Sequence, residues 1–289
     1  MPLKNTRVLI TGVGIKPAEF IFNDITTGKP THTAIMADGK EYKANIGAAV
    51  AFECAKAGAI VHLVSRTEDK LKIVKNWIEN EIPDAIVEYS AIDLSNEEQL
   101  HRLADNILND VPLYWVQSVG LGAGSFKVKD DNPYLLIEDI PQELIQAELS
   151  VLTNTVTLLQ LLLPRFRKQK ETRVCIISSM SAIRSVISGS MHMAAKGAIS
   201  RFANAAMIEL HDDNIFITDV RPGAVDTGMY DLKVVQDTVN MMAQKYGKKQ
   251  IYYAPPQSVG KAIVTVLSSE GHITSLNIVG KGQFPHNGS

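Results

Sequence analysis

The sequence predicts a single doubly wound α/β domain built on a seven-stranded parallel sheet. Three observations carry that prediction. Short β-branched apolar runs alternate with segments of helical period along nearly the whole chain. The alternation continues long enough to require a parallel sheet covered on both faces, with right-handed crossovers. The 289 residues contain no internal repeat and no low-complexity linker, and that length suits one large α/β domain spanning residues 1–289.

In chain order, the first apolar run, 7–12, reads as a strand, and 46–57 as the helix that follows it. A second strand at 60–66 leads into a helix at 68–81, and a third at 85–94 into one at 96–109. The run 113–120 makes the fourth strand, ahead of the longest helical pattern, 141–168. Strand 173–180 precedes helix 191–211, strand 215–223 precedes helix 256–268, and 275–280 completes the sheet.

Two stretches interrupt the alternation. Residues 16–44 separate the first strand from its helix, where a connection of a few residues is normal. Within them Ala37-Asp38-Gly39-Lys40 suits a tight hairpin turn. Residues 224–254 carry Met229, Tyr230, Met241 and Met242 in a loosely amphipathic pattern. Ligands of open α/β sheets bind beyond the carboxyl ends of the strands, so this segment reads as a substrate cover, with an ordinary surface helix as the alternative.

Composition excludes several functions. Hydrophobic residues make up 45% of the chain, too many for disorder. With 29 basic against 31 acidic residues there is no electrostatic footprint for a nucleic-acid partner. Cys54 and Cys175 lie in apolar runs and cannot make a disulfide framework; buried thiols in a reduced compartment are expected. No signal-peptide pattern precedes the first strand, and no uncharged apolar stretch approaches the roughly 20 residues of a membrane helix. A cytoplasmic protein without a membrane partner is therefore expected. The seven histidines are scattered and no Cys/His spacing suits zinc, so no metal is expected.

The first strand runs into Thr11-Gly12-Val13-Gly14, and the next helix opens with Asn45-Ile46-Gly47. A strand, a small-residue turn and a helix N-terminus together receive a dinucleotide pyrophosphate, because exposed N–H groups and the helix dipole attract it. The Gly-x-Gly-x-x-Gly pattern itself fails, since Pro17 stands at its third glycine. The segments nevertheless resemble the Thr-Gly-x-x-x-Gly-Ile-Gly loop of short-chain dehydrogenases/reductases. Asn45 replaces the middle glycine and tolerates the left-handed backbone needed there. The match spreads over 33 positions from Gly12 to Asn45, where the family has a few. The insertion, residues 16–44, can fold over a cofactor, reach another subunit or decorate the edge.

Further segments extend the resemblance over residues 7–282, apart from the two insertions. Asp93-Leu94 is similar to the family's adenine-contacting segment. Gln117-Ser118-Val119-Gly120 stands in place of Asn-Asn-Ala-Gly and retains only the glycine. Pro222-Gly223-Ala224-Val225-Asp226-Thr227 resembles the segment beside the nicotinamide, and Leu152-Thr153 with Gln160–Pro164 matches the long central helix. The resemblance implies a Rossmann-like fold and a nicotinamide dinucleotide bound by Thr11, Gly12, Gly14, Asn45, Ile46, Gly47, Ser65, Arg66, Asp93, Leu94, Gly120, Lys196, Pro222, Gly223, Val225 and Thr227. It also implies a homodimer or homotetramer, paired through helices such as 149–166.

An acidic residue at the end of the second strand holds an adenine ribose diol, whereas an arginine accepts a 2′-phosphate. Here Ser65 takes the acidic position and Arg66 follows, a planar charged fork with a hydroxyl beside it. NADP(H) is therefore favoured over NAD(H); the alternative is an ordinary exposed arginine.

In the family a serine precedes a Tyr-x-x-x-Lys pair, and Ser179 and Lys196 fall in register with it. His192 occupies the tyrosine position and Val151 that of the family's helix asparagine. Residues four apart on a helix share a face, so His192 and Lys196 reach one pocket. The resemblance gives Ser179 the substrate oxygen, Lys196 the nicotinamide ribose and His192 the proton. An imidazole donates effectively only as imidazolium, a form that a neighbouring lysine cation disfavours. His192 and the Ser178–Ser179 pair also have ordinary packing readings. Tyr230 is an alternative phenol, while a tyrosine seven residues before the lysine is excluded because Gly189 stands there. The expected function is an NADP(H)-dependent oxidoreductase acting on a small carbonyl or alcohol. The alternative is a dinucleotide-binding protein of little or no activity, serving as a sensor or partner subunit.

Overall fold

Every residue of β1 (Arg7–Thr11) is buried, with Val8 and Ile10 facing one core and Leu9 the other, so both faces of the strand require cover. Three short strands follow, β2 (Ile15–Pro17), β3 (Ala34–Ala37) and β4 (Lys40–Ala44), before α1 (Ile46–Lys56). The chain then alternates through β5 (Ile60–Ser65), α2 (Glu68–Glu81), β6 (Ile86–Ala91), α3 (Glu97–Asn106), β7 (Leu113–Gln117) and α4 (Gln142–Phe166). It finishes with β8 (Thr172–Ile177), α5 (Ser190–Glu209), β9 (Ile215–Pro222), α6 (Pro256–Leu267) and β10 (Ser275–Ile278). This computed structural model describes residues 2–107, 109–120, 136–185, 189–231, 233, 235–237, 240, 244, 252–281 and 283.

Seven parallel strands lie in the order β10-β9-β8-β7-β1-β5-β6. The winding direction reverses between β1 and β7, which opens a crevice at their carboxyl ends, where open α/β sheets bind ligands. Val50, Leu71, Val74 and Ile263 bring α1, α2 and α6 onto one face. Leu100, Leu158, Leu162 and Ile199 bring α3, α4 and α5 onto the other.

All seven sheet strands stand where the apolar runs predict them, but each ends one to three residues early. Gly12, Arg66, Asp93, Ser118, Ser179 and Gly223 stand just beyond the strand ends, where the N–H groups of Gly12, Ser118 and Gly223 still donate to Val64 O (2.9 Å), Thr11 O (2.9 Å) and Ile278 O (2.7 Å). One expectation needs correcting. The 25 residues of α4 are apolar and long enough to cross a membrane by length and composition alone. One face of α4 packs into the core, burying Val151, Leu158, Leu159, Leu162 and Phe166.

Residues between β1 and α1 form a separate antiparallel sheet of order β2-β4-β3. Asp38 and Gly39, with φ of 51° and 70°, make the predicted two-residue turn, whose twist matches the strands it joins. Ile35 and Ala44 anchor this sheet in the core shared with α1.

Candidate active site

The loop after β1 is closed by Asn45, whose backbone is extended (φ −77°, ψ 179°) and not left-handed as expected, because it caps α1. Its backbone N–H donates to Gly14 O (3.0 Å), its Oδ1 accepts from the N–H groups of Gly14 (3.0 Å) and Ala48 (2.9 Å), and its Nδ2 donates to Gly12 O (2.8 Å). Gly12 and Asn45, the residue that caps α1, therefore meet although 32 residues of chain lie between them. Gly12 has φ +85°, and a Cβ there would fall 2.6 Å from the Ser118 backbone. Gly47 packs equally close, its virtual Cβ lying 2.8 Å from Gly12 O. Thr11 is fully buried and receives a hydrogen bond from Trp115 Nε1 (3.3 Å), so its side chain is scaffold. Gly14 spends its N–H on Asn45, which leaves Ile46 and Gly47 to head α1, whose first turn has no acidic side chain.

Across the crevice, Ser65 ends β5 and Arg66 is exposed beyond it. Asp93 Oδ1 accepts from Ser95 N (2.9 Å) and Oγ (2.7 Å). The Ser95 backbone N–H chiefly holds the Asp93 carboxyl below its usual range, with the Arg66 charge contributing. Leu94 packs on the core and Gly120 lies at the mouth of the crevice.

Beyond β8, Ser179 caps a short 3₁₀ turn, Met180–Ala182, its Oγ accepting from Ser181 N (3.0 Å). Helix α5 carries His192 and Lys196 one turn apart. Lys196 is buried; its Nζ donates to Ile177 O (3.3 Å), and a Cβ at Gly120 would lie 3.1 Å from that nitrogen. Burial lowers the ammonium to about 8, opposed by the carboxylates of Glu148 and Asp219. His192 is about one-third exposed, with Nδ1 3.2 Å from Oε1 of Glu148, a carboxylate on α4 only 6% exposed. Val151, one turn further along α4, is buried and offers no polar group.

Sequence reasoning missed three groups. Glu148 was legible only as a residue on the same helical face as Val151. Buried Asp219 binds the hydroxyls of Ser178 and Ser200 and the Arg221 guanidinium (2.6 Å). Lys43, fully buried on β4, contacts Asp226 (2.7 Å) and Asp231 (2.9 Å), and Thr31 Oγ1 donates to Asp226 (2.7 Å). No local pattern joins residues almost two hundred positions apart.

That last cluster ties the β2–β4 sheet to the segment after β9. Pro222 ends β9, Val225 is buried in the core, and Thr227 Oγ1 lies 3.5 Å from Val225 O. Gln283 fills the space at Gly223 and accepts from Ala224 N (3.1 Å). Tyr230 and Phe22 both pack against Tyr253 in tilted pairs, with centroids 4.7 and 4.3 Å apart. Burial pushes the Tyr230 phenol up to about 12, which makes it a poorer proton donor than a free tyrosine. Met241 and Met242 of the expected cover segment lie outside the described residues.

Comparison with known proteins adds the lineage. The chain is 26% identical over 208 residues to mouse 17-beta-hydroxysteroid dehydrogenase type 3, covering 72% of this chain and 65% of that protein. It is 30% identical over 222 residues to 11-beta-hydroxysteroid dehydrogenase-like 3 of Arabidopsis thaliana, covering 75% and 65%. The chain thus spans 65% of the length of both relatives. Among solved structures, it resembles an NADPH-bound short chain oxidoreductase of Pseudomonas aeruginosa PAO1 described as containing an atypical catalytic center. The TM-score is 0.73 at 16% identity, with 98% of each chain covered. L-sorbose reductase of Gluconobacter frateurii, complexed with NADPH and L-sorbose, gives a TM-score of 0.72 at 17% identity, with 96% of each covered. At those identities the likeness is one of fold. The family profile described as short chain dehydrogenase matches residues 43–237, starting as β4 enters the loop at Asn45 and running past α5 and β9. That stretch is more than half of the sequence, and the chain belongs to the short-chain dehydrogenase family.

Proposed function

We propose that this protein is an NADP(H)-dependent oxidoreductase that moves hydride between the nicotinamide and a carbonyl or alcohol carbon of a small molecule. The observation that carries the reading is buried Lys196, held at Ile177 and against Gly120 beside the crevice, with His192 one turn before it on α5. The residues present suit a dinucleotide. Gly12 and Gly47 leave no side chain in the loop, and the head of α1 presents N–H groups without an opposing acid. When bound, the nicotinamide supplies or takes the hydride.

The remaining work falls to the chain's own residues. The N–H groups of Ile46 and Gly47 receive the pyrophosphate, and Arg66 with Ser65 receives a 2′-phosphate. Lys196 binds the ribose hydroxyls. The hydroxyl of Ser179 donates to the substrate oxygen as negative charge grows on it, and His192 exchanges the proton. Family membership favours this reading over binding without catalysis.

Calorimetric titration of the purified protein with NADPH and NADH tests the proposal. Micromolar NADPH binding with weaker NADH binding is expected, and Arg66→Ala is expected to reduce NADPH affinity roughly tenfold or more while leaving NADH unchanged. Absence of binding by either cofactor up to millimolar concentration overturns the reading. An Arg66→Ala variant with an unaltered NADPH/NADH ratio removes the 2′-phosphate assignment. Across a panel of aldehydes and ketones, His192→Phe is expected to retain NADPH binding and lose nearly all turnover.

A further inference from the structure

We propose that Glu148 is the positioning residue of this site: its carboxylate takes the Nδ1 proton of His192 and so presents Nε2 to the substrate oxygen. The inference rests on the oxidoreductase reading above for the substrate, but its structural basis is separate. Glu148 Oε1 lies 3.2 Å from His192 Nδ1, and the glutamate is almost completely buried. A buried carboxylate is costly unless a partner holds it. The described charges facing it are His192 and Lys196, both on α5, and Asp219 also acts on Lys196. Helix α4 thus carries its one buried acid onto the α5 stripe that bears both candidate site residues. It stands three residues before Val151, on the same face of α4.

The consequence is a choice of tautomer. Which ring nitrogen of a neutral histidine carries the proton is decided by the hydrogen bond made by the other nitrogen. A carboxylate accepts and cannot donate, so the Nδ1–H form is selected and the Nε2 lone pair is left open. The carboxylate of a Ser-His-Asp triad orients its imidazole by the same logic. In the alcohol-to-carbonyl direction, the substrate O–H proton passes to Nε2 as hydride leaves the carbon for an oxidised nicotinamide. In the reverse direction the imidazolium Nε2–H returns the proton to the oxygen as hydride arrives. Glu148 faces the imidazolium in either case without exchanging a proton itself.

The test needs no substrate. Protein labelled with 15N-histidine is studied by long-range 1H–15N NMR at a pH well above the ordinary imidazole range. The His192 signals are identified by their loss in His192→Phe. The wild type is expected to show protonated Nδ1 and bare Nε2. Glu148→Gln is expected to retain that form, because the amide oxygen accepts the same proton. Glu148→Ala is expected to revert to the Nε2–H form that free imidazole side chains favour. Wild-type His192 in the Nε2–H form overturns the proposal, as does a Glu148→Ala spectrum unchanged from wild type. If Glu148→Ala does not fold, the wild-type spectrum alone decides. The NADPH titration stands apart: the expected tautomer without binding removes the oxidoreductase reading only, and binding without the tautomer removes Glu148 only.

Discussion

Lys196 shows how a single buried charge links site chemistry to stability. Burial lowers its ammonium from 10.5 to about 8, so in that interval the unfolded chain holds a proton that the folded chain lacks. Stability therefore rises with pH through that window, and below it the folded state carries the full cost of a buried cation. That cost is about 3 kcal/mol by the shift. Lys196→Met is expected to unfold at higher urea than the wild type near neutral pH, with the gap closing as pH rises past 8; equal pH profiles would contradict this. Lys196 was legible from its spacing to Ser179. Its burial and its two carboxylate neighbours were not, because they come from α4 and β9.

At the scale of elements, the β2–β4 sheet is held to the segment after β9 by a buried ion cluster as well as by aromatic and apolar contacts. Lys43 is fully buried between Asp226 and Asp231, and Asp231 Oδ2 also accepts from the N–H groups of Glu19 (3.1 Å) and Phe20 (3.3 Å). Removing the cation strands two buried carboxylates. Lys43→Met is expected to cost about 3–5 kcal/mol in urea unfolding. The triple variant Lys43→Met, Asp226→Asn, Asp231→Asn is expected to recover part of that loss. A loss no greater than that of an exposed lysine would show that the clamp is not energetically coupled. The hairpin inside this sheet was legible because Asp38-Gly39 has its own local turn chemistry. The attachment was not, since a long-range ion pair has no sequence period.

At the scale of the whole molecule, two core clusters sandwich the sheet, and the thiols report on the opening of one of them. Cys54 on α1 and Cys175 on β8 are fully buried, and both belong to the same cluster. Burial raises both thiols, that of Cys175 to about 12, so neither forms an accessible thiolate in the folded state. Native protein is expected to leave an aromatic disulfide reagent unreacted, and both thiols are expected to titrate together on unfolding. Rapid reaction of one thiol in native buffer would show that its half of the core opens locally.

Alternation of apolar runs with helical periods was enough to determine the architecture, since burial on both faces of a parallel sheet is written residue by residue into each strand. The one-turn spacing of His192 and Lys196 was likewise determined locally, by the fixed rise and turn of α5. Tertiary structure alone decided what surrounds those residues. Asn45 meets Gly12 across 32 intervening residues, Glu148 crosses from α4 to His192, and Lys43 reaches Asp226 and Asp231. Each depends on how separate elements dock. Secondary structure follows from neighbours along the chain, whereas the charge around a site follows from neighbours in space.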